Sequence, residues 1–219
     1  MSWPMTVVCG AAGTGRDRFA HALAGSFDGH LIDTGEVLEA VRAMSGPEQY
    51  PELFYQDAED WRKFVTGQDP GMRLREPLTA TAEELAAARL RAADVLAPAV
   101  RAVMMQQPLL HMDGNYGFPH TVVTGRHALP TLAWDFVVIL TEDEEQIRAN
   151  LATRNREDSV DLRTRTSMLV QAELLHRGAA HRTSSQCEVV FVAARPWTDA
   201  VDRVRREQSD LWDLWNALG

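Results

Sequence analysis

The residues best suited to chemistry come early in the chain. Gly10-Ala11-Ala12-Gly13-Thr14-Gly15-Arg16-Asp17 has the spacing of a phosphate-binding loop, with Arg16 and Asp17 standing where lysine and serine or threonine complete the motif. Glycines leave room for the backbone to wrap a phosphate. Successive amides and the start of a following helix then aim partial positive charge at it. On this reading Gly10, Gly13, Thr14, Gly15 and Arg16 hold phosphate. Asp17 either coordinates a metal ion or places a negative charge beside the anion. Taken alone, the loop also suits a tight strand-to-helix turn with no ligand. A dinucleotide fingerprint fits less well, because Arg18 occupies the place of its third glycine.

Three further groups carry polar side chains at places where a sheet meets a helix. Leu31-Ile32-Asp33-Thr34-Gly35 ends an apolar run on a carboxylate and a hydroxyl. Asp-Thr-Gly is also the tripeptide of aspartic proteases, but here it opens a helix and has no second copy. Val123-Thr124-Gly125-Arg126-His127 ends a second β-branched run on a glycine and a guanidinium. Residues 154–182 gather Arg154, Arg156, Arg163, Arg165, Arg177 and Arg182 in an otherwise acidic chain, a grouping that suits either a solvated helix face or a charge clamp. His111 and Asp113 have alternate spacing but no third ligand, and they read as a turn rather than a metal site.

Short strands are predicted over Thr6–Cys9, His30–Asp33, Thr121–Thr124, Asp135–Leu140 and Glu188–Val192, each followed by helical sequence. Thr34 is expected to cap the helix that carries Val37, Leu38, Val41 and Met44. Thr81-Ala82-Glu83-Glu84 has the form of a capping box opening a long helix, which Pro98 should kink or split. A final helix is expected over Thr198–Arg206. Strands alternating with helices predict a three-layer α/β fold around a parallel five-stranded sheet, with ligands at the carboxyl ends of the strands. Residues 46–80, rich in proline and aromatic residues, read as an insertion in a single domain spanning 1–219.

The succession of glycine loop, helix and Leu31-Ile32-Asp33-Thr34-Gly35 resembles the bacterial cytidylate kinases. Val95-Leu96-Ala97-Pro98-Ala99-Val100-Arg101 is similar to that family's Pro-x-Val-Arg helix, and Val123 to His127 to its Asp-Gly-Arg-Asp segment. The resemblance implies a P-loop kinase fold with an acceptor-binding insertion and an arginine-rich lid over 154–182. It implies ATP as phosphoryl donor, Mg²⁺ as cofactor and CMP or dCMP as acceptor. Carried over residue by residue, it assigns donor phosphate and metal to Arg16 and Asp17, lid catalysis to Arg163 and Arg165, and the acceptor to Asp33, Thr34, Gly35, Arg101, Arg126, His127 and Arg182. Departures are Arg16 and Asp17 themselves, His127 in place of an acidic residue, and Glu39 in place of an arginine for which Arg42 can substitute. These leave room for a kinase acting on a modified nucleotide or another small metabolite, or for a protein that binds nucleotide without turnover.

Composition narrows the classes. The 219 residues are 45% hydrophobic and 24% charged, an ordinary globular balance, and 22 Lys+Arg against 31 Asp+Glu give a net charge of -9, which argues against duplex nucleic acid as a partner. The two cysteines, Cys9 and Cys187, are too few for a disulfide scaffold. With no apolar run long enough to span a bilayer and no leader-like start, the expectation is a cytoplasmic monomer or homodimer without a membrane partner.

Overall fold

The computed structural model describes residues 5–54, 80–106, 110–112, 115–117, 120–133, 136–153, 159–184, 187–193 and 196–218. In chain order the elements are β1 (Met5–Gly10), α1 (Arg16–Ser26), β2 (His30–Asp33), α2 (Thr34–Met44), the short α3 (Pro51–Phe54), α4 (Ala82–Met105), β3 (Leu110–Met112), β4 (Asn115–Gly117), β5 (Thr121–Thr124), β6 (Phe136–Thr141), α5 (Glu144–Ala152), α6 (Val160–Ser184), β7 (Glu188–Ala193) and α7 (Trp197–Leu218). A 3₁₀ turn, Pro130–Leu132, lies between β5 and β6.

Five strands form one all-parallel sheet in the order β2-β5-β1-β6-β7. Its register sets Asp33 beside Thr124 and Gly10 beside Leu140, so the strands end on a common edge. The sheet is apolar on both faces, and alternation assigns each residue to a layer. Val7, Cys9, Val123, Val137, Ile139 and Val189 face the layer of α2, α4 and α6. Val8, Val122, Phe136, Val138, Leu140 and Val192 face α1 and α7, where Phe19, Leu23, Val201 and Val204 are buried against them. The predicted three-layer α/β architecture and all five of its strands are present.

Several expectations change in detail. Asp33, not Thr34, is the N-cap of α2: its carboxylate accepts from the Gly35 amide at 2.7 Å. The capping box at Thr81 forms as expected, with both reciprocal bonds made. Pro98 does not split α4, which runs unbroken through it. The bond that proline cannot donate belongs to Asp94, whose side chain is bound by Arg177 from α6. His111 lies in β3, which pairs antiparallel with β4, while Asp113 lies outside the described residues.

Within the stretch 154–182, residues 160–184 form one continuous helix with Thr164, Thr166, Ser167, Gln171 and Leu174 buried, so this part packs into the body of the fold. Its closeness to the sheet is set at Gly178, where any Cβ would overlap the Ile139 side chain. Gln171 pins the end of β6 by accepting from the Glu142 amide and donating to the Glu142 carbonyl, both at 3.0 Å. The remaining part of the expected lid, including Arg154 and Arg156, and the insertion residues 55–79 lie outside the described residues.

Candidate functional site

The glycine loop leaves the centre of the sheet at Gly10 and enters α1 at Arg16. Gly13 and Gly15 have φ of 92° and 78°, the left-handed region that side chains disfavour. Thr14 is buried and folds the loop on itself, its hydroxyl donating to the Ala11 carbonyl at 2.9 Å. A Cβ on Gly10 would come within 2.6 Å of that hydroxyl, which explains the first glycine. The loop is braced from outside by Asn150 of α5, whose Nδ2 donates to the Gly13 carbonyl at 2.6 Å. The loop is therefore built, and its α1 amides start at the carboxyl edge of the sheet.

Arg16 does not extend from this loop. Its Nη1 donates to the Gly10 carbonyl at 2.7 Å and its Nε to Asp17 Oδ1 at 2.8 Å, with Nη2 2.7 Å from the same oxygen. Asp17, half exposed in the first turn of α1, offers the hard oxygen that Mg²⁺ prefers. Among the described residues no group of three or more His, Cys, Asp or Glu side chains gathers to hold a metal. A single carboxylate suits an ion that is carried in largely by substrate phosphates and waters.

The second part of the site forms where β2 and β5 end side by side. Gly125 has φ of 123°, and a Cβ there would come within 2.7 Å of Asp33 Oδ1 and 2.9 Å of the Thr34 amide. Only glycine lets the two strand ends approach. The contact is closed by the His127 amide, which donates to Thr34 Oγ1 at 3.2 Å. Asp33, Thr34, Gly35, Gly125, Arg126 and His127, widely separated in sequence, thus form one cluster. Arg126 is exposed while its neighbours on both sides are buried.

His127 is buried, and its ring is pushed down to about 3, first by loss of solvation and then by the positive charges of Arg126, Arg16, Arg42 and Arg89. It is a neutral imidazole and too weak a base to draw a proton from a substrate. Each of these four charges, carried by different parts of the chain, disfavours protonation of the ring. Arg42, the substitute for the arginine absent at 39, donates from Nε to the Leu53 carbonyl at 2.7 Å, lies over the Phe54 ring and pairs with Glu39.

The other expected residues are placed elsewhere. Arg101 lies twelve positions beyond Arg89 on α4, about 18 Å along the axis at 1.5 Å per residue. Its Nη2 donates to the Thr131 carbonyl at 2.9 Å. Arg182 pairs with Glu188 at the amino end of β7, on the edge of the sheet opposite the loop. Arg163 is buried, with Nη2 donating to the Leu151 carbonyl at 2.9 Å, where it satisfies the carbonyl end of α5. Arg165 is exposed and 3.6 Å from Glu83 of α4. Of the arginines expected at the acceptor, only Arg126 stands in the cluster.

Arg89 and Asn150 were missed. Arg89 carried a legible signal, since it falls between Leu85, Ala86, Ala92 and Ala93, inside the buried stripe of α4. A guanidinium in such a stripe needs an ionic or polar reason to be there. Asn150 gave no signal, because the contact joins residues 137 positions apart. Both cysteines are buried and neither forms a disulfide, and burial raises the Cys9 thiol far above its ordinary range.

The decisive pair of features is the strand order, with β1 central, and a glycine loop running from β1 into the N-terminus of α1. This is a three-layer parallel α/β fold of the P-loop type. Similar chains among solved structures include a shikimate kinase from Bacteroides thetaiotaomicron, 16% identical over 94% of this chain and 97% of that one, with a TM-score of 0.42. A shikimate kinase from Acinetobacter baumannii in complex with shikimate is 11% identical over 100% and 97%, with a TM-score of 0.45. A gluconokinase from Sinorhizobium meliloti 1021 is 15% identical over 97% of each chain, with a TM-score of 0.40. No protein-family model matches the sequence, and no curated protein matches it. None of these three structures is a cytidylate kinase.

Proposed function

We propose that the chain transfers a phosphoryl group from ATP to a small anionic acceptor, a nucleoside monophosphate with CMP or dCMP first in line. The observation that carries this reading is the pairing, on one edge of the sheet, of a built glycine loop with the Asp33–Gly35 and Gly125–His127 cluster, in which Arg126 is exposed. Phosphoryl transfer asks a protein chiefly for positioning and for positive charge around the phosphates. The loop amides and the N-terminus of α1 orient the donor. Arg126, Arg42 and Arg89 supply charge for the acceptor anion, and Asp33 is available to hydrogen-bond an acceptor hydroxyl. Mg²⁺ held at Asp17 would neutralise charge on the donor phosphates. His127 contributes a neutral, water-excluding wall.

A second reading keeps the chemistry and changes the acceptor to a modified nucleotide or a hydroxylated metabolite. It is favoured by the neutral His127, where the cytidylate kinases carry an acid. A third, nucleotide binding without turnover, is favoured by the pairing of Arg16 with Asp17. Incubation with ATP, Mg²⁺ and separate panels of nucleoside monophosphates and small hydroxy acids and sugars distinguishes them: ADP release dependent on a monophosphate supports the first, release dependent only on the other panel supports the second, and binding without release supports the third.

A further inference from the structure

The cation of the phosphate loop is turned inward and shared with a carboxylate. All three nitrogens of the Arg16 side chain are within hydrogen-bond distance of the loop's own atoms: Nη1 with the Gly10 carbonyl, and Nε and Nη2 with Asp17 Oδ1. The Arg16 side chain is only 12% exposed, whereas that of Asp17 is 52% exposed. The positive charge that should attract a phosphate is thus covered and cancelled by its chain neighbour, leaving the loop with amide dipoles and no net side-chain charge.

We infer that Arg16 and Asp17 form a latch that discriminates against metal-free polyphosphate and opens to a polyphosphate carrying a divalent cation. This rests on the reading of Gly10–Asp17 as a phosphate loop. A metal-free polyphosphate can take Arg16 only by stripping it from Asp17, which leaves an uncompensated carboxylate beside a multiply charged anion, a like-charge contact. A polyphosphate that brings Mg²⁺ leaves nothing unpaired: the carboxylate exchanges a guanidinium for the cation, and the guanidinium exchanges a carboxylate for phosphate, to which its planar fork is matched. Because Asp17 is half exposed, the resting pair is weak enough to exchange. The lysine and hydroxyl that usually occupy these two positions cannot cancel each other in this way.

The test is calorimetric binding of ATP to the full chain, with Mg²⁺ and with EDTA, for the wild type and for Asp17→Asn, each checked for folding by circular dichroism. The latch predicts that wild type binds ATP about tenfold or more tightly with Mg²⁺ than without, the scale of one charge-assisted contact. It further predicts that Asp17→Asn tightens metal-free binding and brings the two affinities within about threefold. Asp17→Ser, which also removes the charge, should likewise tighten metal-free binding. A variant that loses Mg²⁺-dependent affinity while its metal-free affinity stays at the wild-type value would make Asp17 a metal ligand only and overturn the latch. Wild type binding ATP equally with and without Mg²⁺ would also overturn it. Absence of ATP binding by both proteins with Mg²⁺ would overturn the phosphate-loop reading itself.

Discussion

At the scale of single residues, the site is distinguished by which arginine does what. Arg126 extends from a buried strand end, and a charge-assisted fork onto an acceptor anion is worth about 1.5–3 kcal/mol. Arg126→Ala should therefore weaken acceptor binding by roughly one to two orders of magnitude while the melting temperature stays near wild type; equal acceptor affinity would remove it from the site. Arg89 and Arg101 give a sharper contrast, because they share α4 but only Arg89 acts on His127. Arg89→Ala should weaken acceptor binding, whereas Arg101→Ala, which loses a bond to the Thr131 carbonyl, should cost stability and spare affinity. Titrations of the two variants with the acceptor, beside thermal melts, decide the assignment; the reverse pattern would restore the Pro-x-Val-Arg arginine to the site. The sequence could show that arginines were abundant but not where they converge. The placement of Arg126 at a strand end was legible because it follows Gly125, while Arg163 and Arg182 share its residue type and are engaged with Leu151 and Glu188.

At the scale of elements, strand ends place the candidate site and glycine governs the strand ends. Gly125→Ala would force a left-handed φ on an ordinary residue and drive its Cβ into Asp33 and Thr34, so it should cost about 1–3 kcal/mol in stability and impair the acceptor cluster more than the loop. Unchanged stability measured by denaturant unfolding would contradict this account of why β2 and β5 meet. Such strands were readable as β-branched runs ending at glycine or aspartate. The helix over 160–184 was readable as helix but not as a packed one, because its buried face includes Thr164, Thr166, Ser167 and Gln171 and so lacks the apolar stripe that marks a core helix. At the opposite edge of the sheet, His120 joins three elements: it contacts Thr6 Oγ1 at 3.1 Å, Gln208 Nε2 at 3.1 Å and stacks on Phe27. Burial pushes its ring down to about 4.

At the scale of the molecule, His120 and His127 make stability depend on pH in one direction. Both are held neutral in the fold below their ordinary value of about 6.5, so the unfolded chain takes up protons that the fold refuses. Their contribution is complete above about pH 6.5 and is lost as pH falls towards 4. Melting temperature should fall over that interval, and His120→Gln should make the fall shallower; a parallel curve for the variant would show that His120 does not report on folding. The same inference about charge bears on function, since a chain with net charge -9 can attract an anionic substrate only through a local field. The positive charges of Arg42, Arg89 and Arg126, which all act on His127, would supply one. The central claim is that this edge of the sheet is a phosphotransfer site, and its most direct test is acceptor-dependent ADP formation from ATP and Mg²⁺, measured across nucleoside monophosphates for the wild type and Arg16→Ala. The account predicts turnover with at least one monophosphate, reduced about tenfold to a thousandfold in the variant, the range for a lost transition-state donor. Wild-type protein that binds ATP with Mg²⁺ and releases no ADP with any monophosphate, or a variant as fast as wild type, would contradict it.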